Sequence, residues 1–167
     1  MKLGIGKNAP DVVNAFIEIP TGEGVKYEYD KENDIMKVDR MLFTSMVYPF
    51  SYGFIPGTKE DDGDPIDVLV LASMRISPGS YIEVRPVGMI DMEDEHGIDK
   101  KIVAVPADGI DPAFADVNGP DDIHAATKNK IVHFFEQYKE LEPDKWVKIT
   151  GWSSSEEAKE RIRKVML

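Results

Sequence analysis

Asp61-Asp62-Gly63-Asp64-Pro65-Ile66-Asp67-Val68-Leu69-Val70 is the most informative stretch of the chain. Gly63 and Pro65 sharpen a turn, and an apolar segment rich in β-branched residues follows without a break. The reading is a tight acidic turn that feeds a short strand over Ile66–Leu71. Asp62, Asp64 and Asp67 repel one another unless cations neutralise them, and an all-oxygen donor set suits Mg²⁺ or Ca²⁺. A solvated acidic turn is the competing reading. An EF-hand does not fit, because with Gly63 at the loop glycine Leu69 stands where a bidentate Glu belongs.

The same alternation of turn and short strand continues on both sides. Turn signals lie at Pro20–Gly24, Lys31–Asp34 and Ser77–Ser80. Strand character appears in Ala15–Ile19, Tyr27–Tyr29, Ile35–Val38, Tyr81–Val87 and Ile102–Val105. Many short strands at close spacing point to a barrel or sandwich. The last third is helical in pattern. Pro120 with Asp121 and Asp122 reads as a helix start, and Ile131, Phe134, Phe135, Tyr138 and Leu141 recur at helical spacing up to Pro143. Trp146–Thr150 reads as a further strand. Ser153–Ser155 with Glu156 and Glu157 offers two overlapping capping boxes for a terminal helix with Ala158, Ile162 and Val165 on its apolar stripe. With no repeat and no composition shift, the expectation is one domain over residues 1–167: a β-rich α+β fold carrying two helices.

The bulk composition excludes several functions. The chain has 31 acidic and 20 basic residues, a formal charge of −11, which disfavours nucleic-acid backbones and anionic membranes as partners. It does not disfavour a small anion, since bound metals can invert the local field. The absence of cysteine removes disulfides, thiolate metal sites and Cys nucleophiles. The N-terminal residues lack an apolar core of signal-peptide length, and Val68–Ala72 is too short to span a bilayer, so a cytoplasmic protein is expected. Walker A, G-x-S-x-G, H-E-x-x-H and dinucleotide-loop patterns are missing.

A second acidic group, Asp91, Glu93, Asp94, Glu95 and Asp99 around Gly97, reads on its own as a hydrophilic hairpin loop. It gains functional weight only where folding sets it beside the first group. His96, His124 and His133 do not share metal-ligand spacing and read as structural or exposed.

D-G-D-P-I-D-V at 62–68 resembles the defining motif of the soluble family I inorganic pyrophosphatases. Further segments resemble that family in the same order: I-E-I-P at 17–20, K-Y-E at 26–28, V-D-R at 38–40, Y-P-F-S-Y-G-F-I at 48–55, R-P-V-G at 85–88, K-I-V-A-V-P at 101–106, H-F-F-E-Q-Y-K at 133–139 and W-V-K-I at 146–149. The similarity spans roughly residues 9 to 165. Ser51 and Phe54 are departures at positions expected to vary.

What the resemblance implies is specific. The fold would be a highly twisted five-stranded OB-like barrel with helices packed outside. The reaction would be hydrolysis of pyrophosphate to two orthophosphates by a metal-activated hydroxide, with several Mg²⁺ ions and with Mn²⁺ or Zn²⁺ as possible substitutes. Asp62, Asp67 and Asp99 would hold the metal that activates water, and Asp67 would reach a second ion. Asp64 would accept the proton from the nucleophile. Asp94, with Asp99, would bind further Mg²⁺ arriving with substrate. Glu18 and Glu28 would support the metal and water shell. Lys26, Arg40, Tyr52, Lys101, Tyr138 and Lys139 would grip the phosphates, with Tyr48 a weaker candidate for contact. The compact length resembles the prokaryotic form, a homo-oligomer and typically a hexamer.

The chemistry suits these residue types. Pyrophosphate repels an attacking hydroxide, and two metals both lower the pKa of water and align it. Lys, Arg and Tyr take up charge on the transferring and leaving phosphates, Arg as a planar fork and Lys as a point charge. Two other functions compete: a Mg²⁺ phosphohydrolase acting on nucleotides, for which no base-stacking motif stands out, and an OB-type nucleic-acid binding module, which the charge opposes.

Overall fold

The computed structural model describes residues 3–167. Eight strands form: β1 Val13–Ile19, β2 Val25–Asp30, β3 Ile35–Met41, β4 Ser51–Phe54, β5 Asp67–Val70, β6 Tyr81–Asp94, β7 Gly97–Pro106 and β8 Val147–Ser153. The helices are α1, Ala125–Gln137, and α2, Ser155–Val165. Strands β1, β4, β5, β7 and β6 pair in that order, and β6 pairs back onto β1, so five strands close into a ring. This is the OB-like closure that the resemblance implies. The long β6 also carries β8 beyond the ring. Within the ring only β5 and β7 run parallel.

Both faces of the ring are covered, which explains the unbroken apolar runs. Along β5, Val68 and Val70 join one core cluster while Leu69 and Leu71 join another. Ile102 and Ala104 divide from Val103 and Val105 in the same way along β7. Period-2 alternation therefore sorts apolar side chains onto two buried faces instead of one wet and one dry face. One cluster is closed by Ile131, Phe134 and Phe135 of α1, the other by Ala158, Ile162 and Val165 of α2.

Strand β4 lacks an alternating signature and is not anticipated by the strand patterns. Its four residues are all buried. A Cβ at Gly53 would lie 1.9 Å from the carbonyl oxygen of Phe16, so β1 and β4 approach this closely only because position 53 is glycine. The small hairpin β2–β3 stands apart from the ring and leans on it through Tyr29, whose ring lies 5.1 Å from Phe16 and 6.4 Å from Phe54.

Three sequence readings are corrected. The acidic segment Asp91–Asp99 is not a loop: Asp91, Glu93 and Asp94 belong to β6 and Asp99 to β7, with Glu95 and His96 at the turn. Helix α1 does not begin at Pro120. Pro120–Asp122 is a short 3-10 turn, after which Ile123 is extended and buried and breaks the run. The helix starts at Ala125 with His124 as its cap, the imidazole Nδ1 accepting from the Ala126 N–H at 3.2 Å. At the other end α1 stops at Gln137, well before Pro143, and Leu141 is 63% exposed. Leaving the helix there lets Lys139 reach Asp94 and Glu95, both at 3.1 Å. Helix α2 begins as expected, with Ser154 and Glu157 forming a reciprocal capping box.

Candidate active site

The site follows from the parallel pairing of β5 and β7. Val68 registers with Ile102, so Asp67 at the start of β5 lies beside Lys101. Residues two apart on a strand share a face, which puts Asp99 on the same side of β7 as Lys101. The Lys101 ammonium lies 2.7 Å from Asp67 and 3.0 Å from Asp99. Tyr52, across the β4–β5 pair, donates its hydroxyl to Asp67 at 2.6 Å. Asp67, Asp99, Lys101 and Tyr52 thus form one hydrogen-bonded nexus on three strands.

Burial and charge oppose each other in this nexus. Burial would push the Lys101 ammonium down, but the carboxylates of Asp67 and Asp99 outweigh it and hold the group well above the ordinary lysine range. Tyr52 is driven well above the usual phenol range by burial and then by the charges of Asp67 and Asp99. Glu18, on β1, is pushed up to about 7, chiefly by burial and further by Asp67, against the Tyr29 N–H it accepts and the charge of Lys26.

A cleft of ≈ 1020 Å³ opens above the nexus. One wall is the β2–β3 hairpin with Lys26 and Glu28, which are ion-paired to each other. Asp62 and Asp64 line the cleft from the acidic turn, where Gly63 takes φ +95°. Asp94, Asp99, Lys100, Lys101 and Tyr138 complete the chemistry-bearing lining. The Tyr138 ring stacks on Phe134 at 5.0 Å, which fixes it at the α1 end of the cleft.

The structure brings together Glu18, Lys26, Glu28, Tyr52, Asp62, Asp64, Asp67, Asp94, Asp99, Lys101 and Tyr138 around this one space. It leaves Arg40 and Lys139 outside the lining. Arg40 is tied to Asp39 at 2.5 Å and to the buried Glu142 at 3.0 Å. Lys139 is buried between Asp94 and Glu95. Burial pushes its ammonium down, but Tyr138, then the hydrogen bonds to Asp94 and Glu95, outweigh it and hold the group above the ordinary range. Tyr48 is 2% exposed and packs on Phe134 at 4.7 Å, so it belongs to the core. Sequence reading missed Tyr29, Lys31, Glu60, His96 and Arg161 in the lining. Lys31 and Glu60 come from turns, and Arg161 from a helix remote in sequence, where no local pattern marks a cleft residue.

The donor set bears on metal binding. Asp67 and Asp99 already converge on one cation, the Lys101 ammonium. Among the described residues, no three His, Asp or Glu side chains gather tightly enough to enclose an ion. Asp62 lines the same cleft from the turn, its Oδ1 accepting the Asp64 N–H at 2.9 Å. One or two carboxylates, with the remaining positions left to water and phosphate, is the ligand economy of Mg²⁺. The residues present therefore fit a hard divalent cation that is completed by its substrate.

Comparisons with known proteins agree in one direction. The family profile described as Inorganic pyrophosphatase matches residues 15–167. An inorganic pyrophosphatase of Saccharolobus solfataricus is 63% identical over 166 residues, covering 99% of this chain and 96% of its own. One from Aeropyrum pernix is 60% identical over 166 residues, covering 99% and 94%. The crystal structure of the inorganic pyrophosphatase from Thermus thermophilus superposes with a TM-score of 0.94 at 45% identity, covering 98% of this chain and 94% of that one.

Proposed function

The chain belongs to the inorganic pyrophosphatase family, and on that premise we propose that the cleft above Asp67 and Asp99 is where pyrophosphate is split. The enzyme hydrolyses inorganic pyrophosphate to two orthophosphates. The observation that carries the site assignment is the convergence of Asp67 and Asp99 on a single cation at 2.7 and 3.0 Å, with Tyr52 buttressing Asp67.

In this reading Asp62, Asp67 and Asp99 would hold Mg²⁺, and Asp94 with Asp99 would hold further Mg²⁺ brought by the substrate. When bound, the metal supplies a lowered pKa to water and neutralises phosphate charge. Asp64 is the proton acceptor; its side chain is 78% exposed at the cleft and pairs with the exposed Lys31 at 3.3 Å. Lys26, Lys101, Tyr52 and Tyr138 face the substrate from the floor and walls. They stabilise charge on the phosphates as the bond breaks. Arg40 and Lys139 join only when phosphate displaces their carboxylate partners. Glu18 and Glu28 orient water and metal at the β1 and β2 wall.

A homo-oligomer, a hexamer by family resemblance, and a cytoplasmic setting belong to the same proposal. Exposed Ile35, Val38, Met41, Phe43 and Val47 support self-association. Among the described residues no helix is long and apolar enough to cross a membrane.

The test is phosphate release from pyrophosphate and from ATP, each with Mg²⁺ and with excess EDTA after metal removal. The expected outcome is rapid release from pyrophosphate with Mg²⁺, none on chelation, and little from ATP. Ca²⁺, larger and less acidifying toward water, should bind but inhibit. Full activity in EDTA would sink the metal assignment.

A further inference from the structure

The acidic turn has almost nothing to stand on. Asp61, Asp62, Gly63 and Asp64 are all exposed, so no apolar burial fixes the two carboxylates that the proposed site needs from this side. The turn is closed internally by Glu60 N–H to Asp64 O at 2.7 Å and Gly63 N–H to Glu60 O at 3.0 Å. These bonds set its shape but not its place.

Contacts at its two ends set its place, and on the outgoing side the Ile66 N–H donates to Thr58 Oγ1 at 3.1 Å. At its base, Lys59 N–H donates to the Val165 carbonyl at 2.7 Å, and Thr58 bridges to Met166. At its entry residue, Arg161 of α2 grips Glu60 with a two-pronged fork: Nε lies 3.1 Å from Oε1, and Nη2 donates to Oε2. The side chains are only 28% and 16% exposed, and both line the cleft. A bidentate Arg–carboxylate pair fixes direction as well as distance, which a Lys contact does not. The other side-chain bond from the turn to another element among the described residues is the exposed Lys31–Asp64 contact at 3.3 Å. The fork hangs on α2, whose apolar stripe is locked into the core by Ala158, Ile162 and Val165.

We propose that Arg161 and Glu60 are positioning residues: their ion pair holds the acidic turn so that Asp62 and Asp64 face Asp67 and Asp99 across the cleft. This rests on the metal-site reading above. The pair links the rigid helix on one face of the ring to the exposed half of the site, over a sequence separation of 101 residues. Outer supports of metal ligands typically change affinity by ~10–100-fold when removed.

The test uses the full chain and reads Mn²⁺ affinity directly by electron paramagnetic resonance, beside Mg²⁺-dependent pyrophosphate hydrolysis. Arg161→Met should weaken Mn²⁺ binding ~10-fold or more and lower kcat with it. Arg161→Lys, which keeps charge but loses the fork, should fall between. The swap Glu60→Arg with Arg161→Glu should recover most of the lost affinity, an outcome that mere loss of packing does not give. Circular dichroism and thermal midpoints confirm folding, and Glu60→Gln carries the same test if Arg161→Met does not fold. Wild-type Mn²⁺ affinity and kcat in Arg161→Met would overturn the proposal, even with a lowered midpoint. A raised KM alone, with Mn²⁺ affinity intact and no rescue by the swap, would also overturn it, because Arg161 would then act on phosphate directly. Asp67→Asn separates the two readings. If it keeps Mn²⁺ affinity, the underlying metal site fails; if it loses affinity while Arg161→Met keeps it, only the tether fails.

Discussion

The two walls that bring carboxylates to the cleft are built differently. Asp67 and Asp99 sit on paired strands of the closed ring, about one-third exposed, and each is already held by Lys101. Asp62 and Asp64 sit on a four-residue exposed turn that, among the described residues, is anchored by a partly buried side-chain pair at its entry, the Glu60–Arg161 fork. The strand-borne half has its conformational entropy removed by folding itself. The turn-borne half must be ordered by local bonds and by whatever cation binds there. A site of this kind can admit a hydrated metal and a bulky anion through its softer side while keeping its floor fixed.

The largest effect should come from the fixed floor. Asp67→Asn keeps the shape but removes the charge that Lys101 and Tyr52 converge on. The expected outcome is a kcat loss larger than that of any other variant considered, with a clearly raised Mg²⁺ requirement, because both the hydroxide and the place of the metal would depend on this carboxylate. Asp64→Asn should cost ~10²–10³-fold in kcat with little change in Mg²⁺ affinity, because this residue is assigned to the proton and not to the metal. Calorimetric metal binding and kcat measured together check both. Equal losses of metal affinity in the two variants would erase the division of labour between floor and turn.

Much of this division was legible in the sequence, but not evenly. The D-G-D-P-I-D-V segment announced both the turn and the strand, because a positive-φ glycine followed by a β-branched run leaves few alternatives. The closing strand β4 was not readable from strand patterns, since its identity depends on Gly53 meeting the Phe16 carbonyl of a strand far away in sequence. Asp91–Asp99 looked like a loop because its charges gave no burial signal. It is a paired hairpin whose polar side chains answer one another and its neighbours, as in Lys100 with Asp91 at 2.5 Å. The helix α1 boundary failed for a related reason: Tyr138 fits the helical period and caps the helix, and the next residue, Lys139, is held by Asp94 and Glu95. Arg161 and Glu60 could not have been paired from sequence at all.

A smaller effect probes how firmly the floor is held. Tyr52→Phe removes the 2.6 Å bond to Asp67 and leaves Lys101 in place. A support of this type is worth ~10-fold in activity or metal affinity, the lower end for second partners of a metal ligand. Mg²⁺ titration of pyrophosphate hydrolysis checks it. A loss as large as that of Asp67→Asn would mean that the phenol's contact with the reacting phosphate outweighs its hold on the carboxylate.

The smallest effect concerns charge crowding behind the floor, and its sign follows from Glu18. Its carboxyl is held near 7 in the folded chain by burial and by Asp67, against an ordinary value of 4.5. Between those two values the folded protein keeps a proton that the unfolded chain has released. Stability therefore falls as pH rises through this window, because the native state binds more protons than the unfolded state. Glu18→Gln retains an oxygen that can accept the Tyr29 N–H but cannot ionise. In metal-free protein its thermal midpoint should run parallel to wild type below pH 4.5, gain on it between 4.5 and 7, and stay ahead at a constant margin above 7. A margin of about 2–4 °C is expected, since ~1 kcal/mol shifts a chain of this size by that much and Glu18 keeps some solvent access. Midpoints measured from pH 4 to 8 in EDTA check the slope. A difference that stays flat, or that shrinks as pH rises, would show that burial and Asp67 together do not raise the Glu18 carboxyl. The fixed half of the site would then owe its geometry to packing, with no charge held in check by the fold.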